Sequence, residues 1–529
     1  MGAKPGSMNS CRTPPKLVAA VTDKVAEVAE RRPGGGAARA KGRKATSGVF
    51  IRKCPGNISD VYNFDARMLG EGAFGSVFQG RHKTAGVVRA IKTVPKGNRE
   101  ANLALQQEIA IMQQMDHAHI VKLFETFEDR KCFHFAMELC EGGELFDRIA
   151  SERRFSENQA AMVMRQMLQA AFYMHSNRLA HRDLKPENFL FLRKDGVQDN
   201  VLKLIDFGLA KHCEPGQMLK SKVGTPMYMA PQVLTRRYDT QCDMWSIGVI
   251  MYILLSGKPP FLADTEFETL DKVRLGQWKF AGACWGQVSD DAKSLVKTLL
   301  RMSPKLRATA EDALDHAWIR SLASRASRRS IDAEVVGRLR SFETHNRLKR
   351  AALGIVARDL DDSSIRPLRQ AFEALDKNQD GKLSAAEINE GIQRSGLEAC
   401  SIDIERLIAN VDANGSGAVD YAEFLAATLD PESVLTEGVL RKAFAIFDQD
   451  GDGRISPQEL QNVLAIADDI RRGCSQSIAQ IMQEVDTSGD GTIEFDEFME
   501  LMCSSIRGPS PRVLRVHRAG SGFGTVGGA

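Results

Sequence analysis

Long apolar runs are missing from this 529-residue sequence. The longest, around Ile247 to Leu255, falls far short of the ~20 residues that a membrane-spanning helix needs. No apolar segment follows Met1 in the manner of a secretory leader, so export by that route is not expected. The ten cysteines form no C-x-x-C pair and keep no regular spacing, which excludes a disulfide framework and a cysteine-based zinc site and points to a reducing, cytoplasmic setting. Net charge is scarce too, at +3, but that figure conceals a division. Residues 1–60 carry twelve Lys/Arg against four Asp/Glu, whereas residues 366–500 carry eleven against twenty-seven. The acidic block suits cation binding and the basic head an anionic surface. Nothing in either is read as a site for nucleic acid.

At roughly 150 residues per domain, the length allows three or four. Residues 1–60 are rich in Gly, Ala, Pro and basic residues, with Arg32-Pro33-Gly34-Gly35-Gly36 at their centre, and are expected to be mostly disordered, with a short helix within 17–30. A Gly-rich, basic tail at 506–529 has the same character. Between the tails lie a mixed α/β region at 64–319, a basic helical stretch within 320–365 and an acidic helical block at 366–505.

The acidic block repeats one twelve-residue pattern four times, at 376–387, 412–423, 448–459 and 486–497. Its chemistry is that of a hard cation taking six to eight oxygens: short side-chain donors at positions 1, 3 and 5, a backbone carbonyl at 7, a side chain or water at 9, and a long bidentate Glu at 12. The first loop offers Asp376, Asn378, Asp380, the Lys382 carbonyl and Glu387. The second offers Asp412, Asn414, Ser416, the Ala418 carbonyl, Asp420 and Glu423. The third has Asp448, Asp450, Asp452, the Arg454 carbonyl and Glu459; the fourth has Asp486, Ser488, Asp490, the Thr492 carbonyl, Glu494 and Glu497. Position 6 is Gly381, Gly417, Gly453 or Gly491, as a sharp turn requires. One such loop could be a solvated turn, but four in register cannot reasonably be chance. Aliphatic residues at position 8, Leu383, Val419, Ile455 and Ile493, are suited to pair loop one with two and three with four through short β-bridges. The second loop has three side-chain carboxylates and the third and fourth have four each, so the C-terminal pair is expected to bind calcium more tightly than loop two.

In the α/β region, Leu69-Gly70-Glu71-Gly72-Ala73-Phe74-Gly75-Ser76-Val77 is a glycine-rich turn in a β-prone context that would let backbone fold over phosphates. Alone it is ambiguous. It is followed by Arg89-Ala90-Ile91-Lys92, with Lys92 suited to phosphate, and by Glu108 on an amphipathic helical stretch, the best partner for Lys92. His181-Arg182-Asp183-Leu184-Lys185-Pro186-Glu187-Asn188 and Asp206-Phe207-Gly208 make the pattern specific.

With these motifs, residues 64–319 resemble a serine/threonine protein kinase catalytic domain. The resemblance implies that Asp183 accepts the substrate hydroxyl proton and Lys185 neutralises the transferring phosphoryl group. It also implies that Asn188 and Asp206 hold Mg2+, and that Lys92 and Glu108 orient ATP. Ala90 is counted among the nucleotide-binding residues, Met137 takes the gatekeeper position, and Glu138 and Cys140 offer hinge backbone groups to adenine. Glu144, which could also reach ribose, and Glu187 match acidic positions that meet arginine upstream of the phosphorylated residue, so protein substrates with Ser/Thr near upstream Arg/Lys are expected. One departure is Ala230-Pro231-Gln232 where kinases usually carry Ala-Pro-Glu; Gln232 should keep a hydrogen bond to Arg307 while losing the charge.

Residues 338–358 mix Arg338, Arg340, Arg347, Lys349, Arg350 and Arg358 with Leu339, Phe342, Leu348, Ala352 and Ile355, a pattern of calmodulin targets that a solvated linker helix could also show. Kinase, junction and four hands in this order resemble the calcium-dependent protein kinases of plants and protists. That resemblance implies a multidomain α+β protein, a bilobal kinase fold followed by an all-α calmodulin-like domain. It further implies ATP, Mg2+ and Ca2+ as ligands, and a junction that restrains the kinase until it contacts calcium-loaded hands. Ser327 and Ser330 are expected as autophosphorylation sites or inert linker serines. Met1-Gly2 and Cys11 permit acylation and hence peripheral membrane association, although Gly6 departs from the usual Ser or Thr. A scaffold lacking catalysis is the rival reading, and Lys92, Asp183 and Asp206 all stand against it.

Overall fold

The computed structural model describes residues 52–54, 56–72, 75–84, 86–322, 333–342, 345–360, 362–394, 403–412, 415–468 and 477–503. Ala73, Phe74, Asn414, Ser327, Ser330, Gly2, Cys11 and the 506–529 tail lie outside the described residues. The seven described cysteines are all free, and no described helix is long and apolar enough to cross a membrane.

The first layer is a six-stranded sheet in the order β1-β5-β6-β4-β3-β2, with β1 Arg52–Cys54, β2 Tyr62–Gly72, β3 Gly75–His82, β4 Val88–Pro95, β5 Leu123–Glu128 and β6 Cys132–Met137. All its pairings are antiparallel except β1 with β5. The expected disorder up to residue 60 is therefore corrected for 52–54 and 56–60. Cys54, Ile58 and Tyr62 are buried against Ile91, Phe127 and Ala136, and Asn57 caps the helical turn Ile58–Val61. Three apolar side chains among basic and glycine residues carry no visible period, but they pack on the sheet while the β1 backbone pairs with β5, which would otherwise be an open edge.

Helix α1, Arg99–Met112, begins where the Asn98 side chain accepts from the Ala101 amide, and it turns Leu105, Ile109 and Met112 inward. The larger helical layer is organised by α2, Glu157–Ser176, which starts at a Ser156/Gln159 capping box, and by α3, Gln241–Ser256. Helix α3 is apolar on every side because neighbours surround it, and it ends at Gly257, whose φ of 73° suits glycine.

Helices α4, Ala333–Phe342, and α5, Arg347–Asp359, form the junction, and α6, Asp362–Leu375, leads into the first loop. The expected β-bridges are present: Leu383 pairs with Val419, and Ile455 with Ile493. Leu339, Phe342, Leu348, Ala352, Leu353 and Val356 share one core with Phe424, Leu440, Phe444 and Phe498 of the hands. A solvated linker helix is thus excluded for α5.

Candidate active site and cation-binding loops

Antiparallel register brings together the residues expected at the nucleotide. Gly70 pairs with Val77 across β2 and β3, Val77 with Lys92 across β3 and β4, and Ala90 with Met137 across β4 and β6. Gly75 has no alternative residue, since a Cβ there would collide with the Thr93 carbonyl. Lys92 Nζ lies 2.8 Å from Glu108 Oε1 on α1 and 3.9 Å from Asp206 Oδ1. Burial alone would push the Lys92 amine down, but Glu108 and Asp206 together hold it above its ordinary range. For Asp206 burial is likewise the largest influence and raises the carboxyl; Lys92 and the Gly208 amide, which donates to Oδ1 at 3.1 Å, bring it below the ordinary value. Both groups are therefore charged at neutral pH.

On the other side of the cleft, Asp183 Oδ2 lies 3.1 Å from Lys185 Nζ. Its Oδ1 accepts from Thr225 N at 2.9 Å and from Thr225 Oγ1 at 2.7 Å. Asn188 Nδ2 donates to the Asp183 carbonyl at 2.9 Å. Buried Asp243 on α3 accepts from the His181 and Arg182 amides, at 2.9 and 2.8 Å, and so fixes the turn that presents Asp183. Thr225 was missed as a partner of Asp183 because 42 residues separate them and no local spacing marks the pair. Lys185 contacts Asp183, Asn188 holds the Asp183 backbone, and the Lys185 charge reaches Asp206 and helps lower its carboxyl, a donor set that fits magnesium-bound phosphates.

At the hinge, the Glu138 amide is already donated to the Lys122 carbonyl at 2.9 Å, so of its two backbone groups only the carbonyl can be offered to adenine. Its carboxylate lies 2.9 Å from Lys203 Nζ. Burial pushes the Cys140 thiol up, which keeps it protonated and unreactive. Glu144 is raised by burial first and then by Asp147 and Glu187; Glu187 is raised by burial. Two carboxyls under such pressure favour a cationic neighbour. Gln232 Oε1 accepts from Arg307 Nη2 at 2.9 Å, as expected, and Gln232 Nε2 donates to the Met302 carbonyl at 2.5 Å.

The hands dock against the kinase layer, which the sequence did not disclose. Asp359, at the end of α5, bridges Arg89 on β4 and Lys442, at 2.5 and 2.6 Å. Asp362 pairs with Arg193 and Arg369. Gln379 of the first loop accepts from Arg165 Nε at 2.9 Å, and Lys122 Nζ sits 5.8 Å from the centre of the Tyr421 ring. On the junction itself, Arg338 Nη1 donates to the Thr428 carbonyl, Lys349 Nζ to the Leu501 carbonyl and Arg350 Nη1 to the Asn410 carbonyl, at 3.2, 2.9 and 3.2 Å. Its basic face thus reaches backbone carbonyls of the hands.

Within the loops the chemistry fits a divalent cation. Carboxylate oxygens of Asp448, Asp450 and Asp452 lie within 4.8 Å of one another. Glu459 folds back over its loop and accepts from the Gln449 and Asp450 amides, at 2.7 and 3.2 Å. Glu387 does the same with Lys377 and Asn378, at 2.9 and 3.2 Å. Burial first, then the charges of Asp380 and Glu387, push Asp376 up to about 8, a crowding of acceptors that a bound cation would relieve.

Comparison with known proteins follows the same division. Residues 64–319 match the protein kinase domain, and residues 366–429 and 437–503 each match the EF-hand domain pair. Calcium-dependent protein kinase 5 of Plasmodium falciparum is 39% identical over 447 residues, covering 84% of this chain and 78% of that protein. Calcium-dependent protein kinase 3 of Oryza sativa subsp. japonica is 40% identical over 451 residues, 84% of this chain and 81% of the other. Calcium-dependent protein kinase 7 of Arabidopsis thaliana is 38% identical over 451 residues, 84% and 83%.

Proposed function

Since the chain belongs to the calcium-dependent protein kinases, we propose how its parts divide the work. The chain is a calcium-regulated serine/threonine protein kinase that uses ATP with magnesium and binds calcium through its hands.

In our reading, Asp183 takes the substrate hydroxyl proton while Thr225 and Asn188 hold it in place. Lys185 and Lys92 stabilise negative charge spread over the transferring group, with Glu108 setting the Lys92 rotamer. Asn188 and Asp206 would hold magnesium, which supplies further charge neutralisation when bound. Met137, the Glu138 carbonyl and Cys140 frame adenine, and Glu144 and Glu187 receive upstream Arg/Lys of the substrate. The four loops would hold calcium through the donors named above. The finer ligand assignments and peripheral membrane attachment through the N-terminus belong to this reading as well.

One observation carries the regulatory part: α5 is buried in the hands' core while the Lys92–Glu108 pair is closed. We read this as the released arrangement, which binds calcium more tightly than one in which the junction restrains the kinase. Phosphate transfer from ATP to a basic serine peptide, with magnesium present and calcium either buffered at micromolar levels or chelated, tests the reading. Transfer only with calcium is expected. Transfer in both conditions would remove the restraint, and transfer in neither would remove the kinase assignment for the unmodified chain.

A further inference from the structure

The second cation-binding loop lies against a carboxylate that belongs to the kinase layer. Asp116, between α1 and β5, is 3% exposed, and its Oδ2 has no hydrogen-bond partner among the described residues. Its surroundings are the paired first and second loops. The Asp116 amide donates to Tyr173 Oη at 3.1 Å. The His117 ring stacks on Tyr173 with centres 5.0 Å apart, and both rings close on Gly381, where an added Cβ would lie 2.8 Å from His117 and 3.4 Å from Tyr173. Lys382, the next residue, pairs in register with Asp420. On the other flank, Lys122 Nζ sits 5.8 Å from the centre of the Tyr421 ring. Asp420 is thus bracketed by loop residues that touch both ends of the segment 116–122.

The second loop is short of negative charge, with the three carboxylates of Asp412, Asp420 and Glu423 against four in each of the third and fourth loops. Asp420 Oδ1 accepts from the Glu423 amide at 3.0 Å and Asp412 Oδ2 from the Gly417 amide at 2.7 Å, so the loop's own amides hold both carboxylates in place. Burial first, and then the charge of Asp116, raise the Asp420 carboxyl, while Lys382 and Arg358 act against them more weakly. Two carboxylates brought together out of water repel, and a divalent cation held beside one of them removes that repulsion. The Asp359 bridge differs in kind, because its carboxylate already has Arg89 and Lys442 and needs no cation to be complete.

On the reading of residues 412–423 as a calcium loop, on which this step rests, we propose that Asp116 is a member of the second calcium site supplied by the kinase layer. Its charge opposes docking of the hands while that loop is empty, and the opposition is lifted when the cation binds. Linkage makes the effect reciprocal: once docked, the kinase layer tightens calcium at the second loop. The loop poorest in carboxylates thereby becomes one whose occupancy the kinase layer reads directly.

The test is a double-mutant cycle on the full chain with Asp116→Asn and Glu423→Gln. Docking is read by hydrogen exchange at the amides of residues 117–122, with magnesium constant and calcium either chelated or saturating. In chelated calcium, exchange should slow about tenfold in Asp116→Asn, inside the roughly 5- to 150-fold range of coupling between linked sites. In saturating calcium, Glu423→Gln should exchange about tenfold faster than the parent chain, and adding Asp116→Asn should bring it back to within about twofold. Asp116→Glu keeps the charge and should behave as the parent chain, which separates charge from packing. A change of less than about twofold in Asp116→Asn with calcium chelated, a double variant no better docked than Glu423→Gln, or Asp116→Glu matching Asp116→Asn would each overturn the proposal. Calorimetry that counts the same number of calcium ions on the parent and Glu423→Gln chains would instead remove the second loop from the calcium sites, a failure of the function reading, and exchange in chelated calcium would still decide the role of the Asp116 charge.

Discussion

Replacing Asp359 by Asn should loosen the hold of the hands on the strand that carries Lys92. The carboxylate bridges Arg89 Nη2 at 2.5 Å and Lys442 Nζ at 2.6 Å, and its side chain is 20% exposed against 8% and 16% for its partners. Asn keeps the shape, but it has one acceptor and turns an NH2 toward a cation. Losing one charge-assisted bond and leaving a largely buried ammonium unpaired should cost about 2–3 kcal/mol. That is roughly 30- to 150-fold in the docking equilibrium. Burial alone would raise the Asp359 carboxyl, but Arg89 and Lys442 outweigh it and hold the carboxyl below its ordinary value. A depressed carboxyl contributes fully above its unfolded-state value of about 4 and loses that contribution only as pH falls through the lower folded-state value, so measurements near pH 7 read the whole effect. Hydrogen exchange in saturating calcium is the assay. Amides of Val88 to Val94 should exchange faster by the stated factor in Asp359→Asn, and the calcium midpoint for kinase activity should move upward. Unchanged exchange and an unchanged midpoint would refute the argument that this bridge couples sensor to active site.

Three other outcomes follow from the geometry. Calcium titration of Glu423→Gln and Glu459→Gln should show the greater loss of high-affinity sites in Glu459→Gln, because the third loop carries the larger set of carboxylates; the reverse order would sink the charge argument. Gly381→Ala should weaken docking of the first loop, since φ is +78° and the new Cβ would meet His117 Cδ2 at 2.8 Å. A cost of about 1–3 kcal/mol is expected, read as faster exchange around His117 with calcium present. Gln232→Ala should lower thermal stability by about 1–2 kcal/mol, as Arg307 Nη2 and the Met302 carbonyl each lose a partner, while kcat with saturating calcium changes little. A large fall in kcat at unchanged stability would instead tie Gln232 to the substrate-facing segment.

By itself the sequence determined everything set by short spacing. The four loops were legible because calcium coordination fixes ligand types at positions within twelve residues. Lys92, Asp183 and Asp206 were legible because each sits in a short run whose chemistry is local. The pairing of loops through Leu383–Val419 and Ile455–Ile493 followed from one aliphatic residue at a fixed position. Tertiary structure alone decided which surfaces those units share. Arg89 lies 270 residues from Asp359, and Arg165 lies 214 from Gln379. Each reads from sequence as an ordinary polar side chain. The anchoring of Asp183 by Thr225, the meeting of Arg182 with Ser221, and the use of Cys54, Ile58 and Tyr62 to extend the sheet belong to the same class. Such contacts leave no period and no spacing in the chain, because their partners become neighbours only when separate elements pack. The sequence could name the chemistry of each unit, and the fold decided how one unit reaches the other.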